Sequence, residues 1–241
     1  MEMYNKMFGR CYLAASCNGF TLAEVLITLG IIGVVAAMTL PALIQNTQNK
    51  ELEAGLKKGA SEISQALNMY QAENGEPIVA NNLGSHELKS EMMKYFKVLQ
   101  DCGYGFNDAD TACIKNYNNA DKNSTTYKNF TGTNTVDLKM FDDGQFVLTS
   151  GAIILINNVV DIYNSKDIYI SIDVNGYNKR PNRLGQDLFT FQLDDKGKLI
   201  PMGAVGTKFY SETDAYCSKT STNLNNGAGC TYKALSDPTF W

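Results

Sequence analysis

An α+β fold is what the 241-residue sequence predicts, with one long N-terminal helix, its first half membrane-spanning, packed on an antiparallel β-sheet. Three observations lead there. Val25 to Ile44 is a run of twenty residues without a charge. A helical period of apolar residues continues beyond it as far as Tyr70. Short segments of strand character, separated by turn residues, fill the later part of the chain. Helices first and strands later is the order of an α+β domain rather than of alternating βαβ units.

The charge-free run is long enough to cross the hydrocarbon core, about 30 Å at roughly 1.5 Å per residue. A cleaved secretory signal has a shorter apolar region, about 7 to 15 residues, ending at a small-x-small site. A lipoprotein signal is suggested by Leu13-Ala14-Ala15-Ser16-Cys17, but the apolar stretch before that cysteine is too short. A plain anchor fits the length and leaves Glu24 unexplained, because a carboxylate costs about 2.5 to 3.5 kcal/mol at the centre of a membrane helix, less near the interface. Past the membrane, Leu52, Leu56, Ile63, Leu67 and Tyr70 recur at helical spacing with charges between them. One helix is therefore expected from Phe20 to about Glu73, a rod of about 80 Å, stopped by Asn74-Gly75 with Pro77 just after. Gly55 and Gly59 weaken it, and a bend is expected there.

A second amphipathic helix is read from Ser85 to Gln100, with Leu88, Met92, Phe96 and Leu99 on one face. Strands are expected at 135–141 and 145–149, joined by a turn at Asp143-Gly144, and then at 152–156, 168–174 and 188–193. The polar, Asn- and Thr-rich stretch 107–135 reads as a long loop.

Hydrophobic residues make up 44% of the chain and charged ones 19%, a balance that folds rather than stays disordered. A formal charge of -4 without a cluster of Lys or Arg offers nothing to a phosphate backbone, so no nucleic-acid partner is expected. Enzyme chemistry has little to stand on. His86 is the sole histidine, at an expected helix start, and neither a nucleophile–His pair nor a phosphate loop is present. Asp142-Asp143 and Asp194-Asp195 read as solvated turn residues, and no catalytic residue is assigned. The sequons at Asn123 and Asn129 matter only in a host that glycosylates them.

Six cysteines fall into two groups, Cys11 and Cys17 before the apolar run, and Cys102, Cys113, Cys217 and Cys230 far beyond it. The spacings of the later four match no zinc pattern. Disulfides are the better reading against free buried thiols, with three connectivities open and two close pairs bracketing local loops. A bridge closing a loop of this length contributes roughly 3 kcal/mol in the chain-entropy model. Bridges imply an oxidising compartment, hence a domain outside the cytoplasm.

Gly19-Phe20-Thr21-Leu22-Ala23-Glu24-Val25-Leu26-Ile27 resembles the processing site of type IV pilins and of type II secretion pseudopilins. The resemblance covers about the first fifty residues. It implies cleavage after Gly19 by prepilin peptidase and methylation of the new N-terminal Phe20. It also divides the chain into a leader, 1–19, a transmembrane and assembly helix, 20–44, and an extracytoplasmic pilin-like globular domain, 45–241, that includes the second half of the long helix. Cleavage places an ammonium group four residues before Glu24, on the same helical face and at the positive end of the helix dipole, or within reach of a neighbouring subunit's Glu24. Gly33 and Pro41 fall where these families carry a small residue and a helix-loosening proline. The implied partners are copies of itself and other pilin-like subunits, prepilin peptidase, an inner-membrane assembly platform and membrane lipid. The implied location is the inner membrane, single-pass, with the filament in the periplasm or at the cell surface. Pilins also staple a C-terminal loop by a disulfide, which matches Cys217 and Cys230 in kind. Residues 1–19 depart from the short basic leader of these families, carrying Lys6 and Arg10 against Glu2, and Met7 offers a shorter one.

The stretch from Asp173 to Phe189 looks like the loop with which major pseudopilins hold calcium. Calcium takes six to eight oxygens, which Asp173, Asn175, Asp187 and loop carbonyls supply in part. The other reading is that Asp173 and Asn175 form Asx turns with Gly176 at positive φ. Both stand open in the sequence, as do two functions: a filament subunit, and a monomeric anchored protein that captures calcium or another ligand.

Overall fold

The computed structural model describes residues 20–80, 82–84, 87–104, 113–114, 127–136, 141–160 and 166–241. Two compact units divide the chain, one ending at Gln45 and the other running from Asn46 to Trp241. Helix α1, Leu22–Asn74, contributes to both. In the first unit its apolar side chains are exposed, from Leu22 to Ile44, and the helix runs through Pro41, whose missing N–H removes one rung of the ladder.

In the second unit the helix buries Leu52, Leu56, Gly59, Ile63, Ala66, Leu67 and Tyr70, the stripe that the helical period marks out. It ends where the sequence punctuates it. Gly75 takes φ +81° and its N–H bonds the Gln71 carbonyl at 2.9 Å, closing the last turn.

The remaining elements are α2, Glu87–Met93, then strands β1, Val98–Asp101, β2, Gly144–Leu148, β3, Ile153–Val160, β4, Lys166–Asp173, β5, Leu188–Leu193, and β6, Leu199–Pro201, and last α3, Cys230–Ser236. The six strands form one antiparallel sheet in sequence order. The layout is that of a pilin: a long N-terminal helix followed by an antiparallel sheet, α+β.

Strand alternation sends side chains to two different cores. Phe146, Ile154, Ile172 and Phe189 pair in register across β2 to β5, and all four face the helix side with Leu56, Ile63 and Tyr70. Ile153, Leu155 and Leu188 face the opposite side, where Tyr127, Val136, Leu184 and Ala228 from long connections cover the sheet. The sheet is therefore buried on both faces.

Gly55 and Gly59 serve contact rather than a break, since α1 continues through both. A Cβ on Gly59 overlaps the side chain of Ile172, and one on Gly55 stands 3.0 Å from Val174 Cβ. Bare α-carbons let the helix backbone come down onto β4.

Two expected elements are corrected. The helix read from Ser85 to Gln100 ends at Met93, and 98–101 is strand β1; Ser85 and His86 lie outside the described residues. The N–H groups of Lys94 and Tyr95 bond the carbonyls of Glu91 and Met92 at 3.2 and 3.0 Å, a tightened last turn that releases the chain to pair with β2. Leu99, placed on the apolar face of that helix, is 67% exposed on the edge strand. The hairpin expected at Asp143-Gly144 is also absent. Gly144 opens β2, which pairs with β3 through a turn containing Gly151 at φ +88°. Glycine is required at 144 because the side chain of Lys89 crosses it, 2.7 Å from where a Cβ stands, on its way to Asp101 at 2.6 Å. Of the expected strand 135–141, residues 137–140 lie outside the described residues, Thr135 makes an isolated bridge with Lys128, and Phe141 sits in a helical turn.

Magnitudes separate two substitutions at Gly59. Gly59→Leu forces a buried interface apart and is expected to cost about 1 to 3 kcal/mol in urea unfolding. Gly59→Ala displaces only the mobile end of Ile172 and gains about 1 kcal/mol of helix propensity, so its midpoint should move little.

Candidate functional site

The connection between β4 and β5 begins and ends close together, because Asp173 pairs with Leu188 in the sheet register. Ile172 faces α1, so Asp173, the next residue, projects to the loop-covered side. Its Oδ1 accepts the N–H groups of Asn175 at 3.2 Å and Gly176 at 2.8 Å, and its Oδ2 accepts the hydroxyl of Tyr127. The Asx turn is thus present, with Gly176 at φ +79°. Asp187 accepts Arg183 N–H on Oδ1 at 2.6 Å and Asn182 N–H on Oδ2 at 2.5 Å.

Both carboxylates are fully buried, and among the described residues no lysine or arginine forms an ion pair with either. Burial pushes the Asp173 carboxyl up to about 6. Burial and the charge of Asp173 push Asp187 up to about 7. The same burial, with Asp173 beside it, drives the Tyr127 hydroxyl well above its ordinary value and keeps it a donor.

The amide NH2 of Asn175 donates to the Arg180 carbonyl at 3.1 Å and that of Asn182 to the Tyr177 carbonyl at 2.7 Å. Their amide oxygens are buried and take no hydrogen bond. An oxygen-only set of two carboxylates and two unpartnered amide oxygens has the chemistry of a hard divalent cation site. No group of three or more His, Cys, Asp or Glu occurs among the described residues, so amide and carbonyl oxygens have to complete any such shell. Asn182 and Tyr127 are members that sequence reading missed.

Two disulfides are present, Cys102–Cys113 and Cys217–Cys230. Asn129 of the second sequon is fully buried, its Oδ1 accepting the N–H groups of Thr133 and Asn134 at 3.0 and 3.2 Å, and the geometry leaves no room for a glycan. Asn123 lies outside the described residues.

At the other end of the chain, Gly19 and the segment before it, with Cys11 and Cys17, lie outside the described residues, and Phe20 is the first that is described. Thr21 and Glu24 form a reciprocal cap on α1. The Glu24 N–H bonds Thr21 Oγ1 at 3.2 Å, while Glu24 Oε2 accepts both the N–H and the hydroxyl of Thr21 at 2.8 Å. The acid therefore has a partner within its own chain. Farther along, no atom lies within 4 Å of where a Cβ stands on Gly30 or Gly33, so this face of the helix is bare.

Residues 15–40 match the family model described as the prokaryotic N-terminal methylation motif. This chain carries the type IV pilin and pseudopilin signature. The methylation motif takes in Phe20, Thr21, Glu24, Gly30 and Gly33 and stops one residue short of Pro41, and all of the second unit lies beyond it. No curated protein and no solved structure matches the chain. The motif and the apolar helix behind it fit a pilin-like precursor with an inner-membrane anchor.

Tyr127→Phe removes the only side-chain donor to Asp173 among the described residues and leaves a buried oxygen without that partner. A loss of about 1 to 3 kcal/mol is expected in urea unfolding with a calcium chelator present.

Proposed function

We propose that the chain is a structural filament subunit of a type IV pilus or type II secretion pseudopilus, cut after Gly19, N-methylated at Phe20 and polymerised through residues 20–44. The observation that carries this is the methylation motif at the head of an exposed apolar helix whose first turn holds Glu24. Helices in lipid gain no hydrophobic advantage by pairing, so their association rests on close packing and polar contacts. Gly30, Gly33, Ala36 and Ala37 allow backbones to approach, Leu22, Leu26, Leu29 and Ile32 fill the spaces between helices, and Glu24 meets the new amine of a neighbouring Phe20. Pro41 loosens the helix near the membrane surface. The two disulfides favour an oxidising compartment, and so a second unit on the extracytoplasmic side. Glu24 favours a place in the body of the fibre rather than at its tip. Other pilin-like subunits, prepilin peptidase and the assembly platform are the partners of this reading.

Calcium is the cation assigned to the β4–β5 loop, held by Asp173, Asn175 and Asp187 together with Asn182. The bound ion supplies the positive charge that two buried carboxylates lack. The same loop favours a second reading, a monomeric anchored protein that binds calcium and never assembles. Cysteines introduced one at a time along 25–40 and crosslinked in membranes distinguish the two, since only a filament subunit yields a ladder of oligomers.

Mass spectrometry of protein purified from cells with active prepilin peptidase is expected to find Phe20 first, bearing one added methyl. Recovery with residues 1–19 attached overturns the reading. Glu24→Val is expected to insert and be processed normally but to be depleted from sheared filaments. For the loop, calcium at about 100 times its Kd is expected to stabilise the protein by about 2.7 kcal/mol. Asp187→Ala should abolish that increment, read as the difference in Tm between calcium and chelator.

A further inference from the structure

We propose that the Cys217–Cys230 disulfide and the acidic β4–β5 loop act as one coupled unit, in which a cation bound at Asp173 and Asp187 shields the disulfide from reduction and reduction weakens the cation site. The inference rests on the calcium reading of that loop. Its basis is where the loop leans. Gly185, at φ +75°, lies directly against the bridge, so that a Cβ there stands 2.6 Å from Cys230 Cβ and 2.9 Å from its Sγ. Gly227, three residues before Cys230, is pressed against the Leu184 carbonyl in the same way. The residues immediately before Asp187 therefore form the cover of the disulfide.

That cover is held from both sides. On the loop side, the Asp187 carboxylate gathers the N–H groups of Asn182 and Arg183, and the Asn182 carbonyl and Leu184 N–H bond Lys128 at 3.0 and 2.9 Å. On the disulfide side, the segment between the cysteines is stapled by Asn226, fully buried, which bonds Ser218 N–H and the carbonyls of Ser218 and Ser221 at 2.8 to 3.0 Å. Cys230 opens α3, whose Thr231 hydroxyl accepts Thr190 N–H from β5 at 3.0 Å. Cys230 is fully buried and Cys217 is 9% exposed.

Reduction needs a thiolate to reach one of these sulfurs in line. An external dithiol attacks, the S–S bond breaks, the departing sulfur takes a proton, and the second thiol of the reagent closes its own disulfide and releases the other cysteine as a thiol. Attack on the Cys230 sulfur from the side that Gly185 covers requires that residue to lift away, a local opening. A cation that fixes Asp187 suppresses the opening. By linkage, a cation that favours the bridged form over the reduced one must itself bind the reduced form more weakly, by the factor by which it shifts the equilibrium of reduction. The other bridge is an internal control. Cys102–Cys113 sits at the end of β1, where the Gln145 side chain holds the Ile114 backbone at 3.0 and 2.9 Å, and among the described residues no hydrogen bond joins Cys102 or Cys113 to the β4–β5 loop.

The test uses the full oxidised chain in detergent micelles, with calcium or with chelator, exposed to dithiothreitol for timed intervals, alkylated and mapped by peptide mass. Calcium is expected to slow labelling of Cys217 and Cys230 about tenfold and to leave Cys102 and Cys113 unchanged. Calorimetry on the Cys217→Ser/Cys230→Ser double variant should show weaker calcium binding than the oxidised chain. Asp187→Ala in chelator should speed labelling of Cys217 and Cys230 alone. Calcium heat without selective protection, or equal protection of both bridges, overturns the coupling and leaves the calcium reading standing. Neither heat nor protection removes both.

Discussion

The seating of α1 on Ile172, close enough at Gly59 that a Cβ there would meet the end of that side chain, is the contact that ties the helix to the sheet in the second unit. Ile172 pairs with Ile154 on one side and Phe189 on the other, so fixing it against the helix fixes the register of three strands. In a pleated strand the neighbours of a core residue must point the other way. Asp173 is therefore committed to the far face by the same packing that buries Ile172. A slip of one residue at β4 would drive a carboxylate into the helix interface and expose a row of isoleucines. The core and the acidic loop are consequences of one register.

Burying two carboxylates without a cation is costly, and the protein meets part of that cost with backbone donors. Asp187 takes two N–H groups from its own loop, and Asp173 takes two more and the Tyr127 hydroxyl. These bonds satisfy lone pairs but supply no charge. The two amide oxygens left over, on Asn175 and Asn182, add to the negative potential instead of relieving it. An arrangement built only for rigidity has no reason to place extra acceptors there, because each unpaired buried acceptor costs about 1 to 3 kcal/mol. Placing the loop against a disulfide limits how far it can relax when the charge is unbalanced.

Much of this was legible in the sequence, and the misses have physical causes. The charge-free run, the apolar stripe to Tyr70 and the strands near 168–174 and 188–193 are local patterns, and local patterns can be read from one chain. Residues 98–101 misled because Leu99 continues a helical spacing by coincidence, while the true determinant is a free edge of β2 far along the chain. Gly144 looked like a turn glycine, and its cause is Lys89, a contact invisible to spacing. Tyr127 reaches Asp173 across 46 positions, and nothing in the intervening polar stretch advertises it. Asn182 lies within the stretch from Asp173 to Phe189, and only burial distinguishes it from its neighbours. Thr21 is a different case. Thr-Leu-Ala-Glu is a capping box in plain view, passed over because a carboxylate in a membrane prompts a search for a cation.

That cap changes what the acid has to accomplish. With Thr21 donating both its N–H and its hydroxyl, Glu24 enters the bilayer already hydrogen-bonded, at the positive end of its own helix and near the interface, where insertion costs less than the 2.5 to 3.5 kcal/mol or so charged at the centre. Membrane insertion therefore does not depend on a neighbour. On the proposed cleavage the Thr21 N–H remains a peptide donor, so the cap persists, and the new ammonium of Phe20 has to be met by one of the two lone-pair-bearing oxygens. Oε2 is occupied by the cap, so on this proposal Oε1 is the oxygen that takes the ammonium. In the proposed filament, a carboxylate held by its own helix offers its second oxygen at a defined angle, and that angle would set the stagger between adjacent subunits. On the same proposal, packing at Gly30 and Gly33 drives association in lipid, and the acid contributes register.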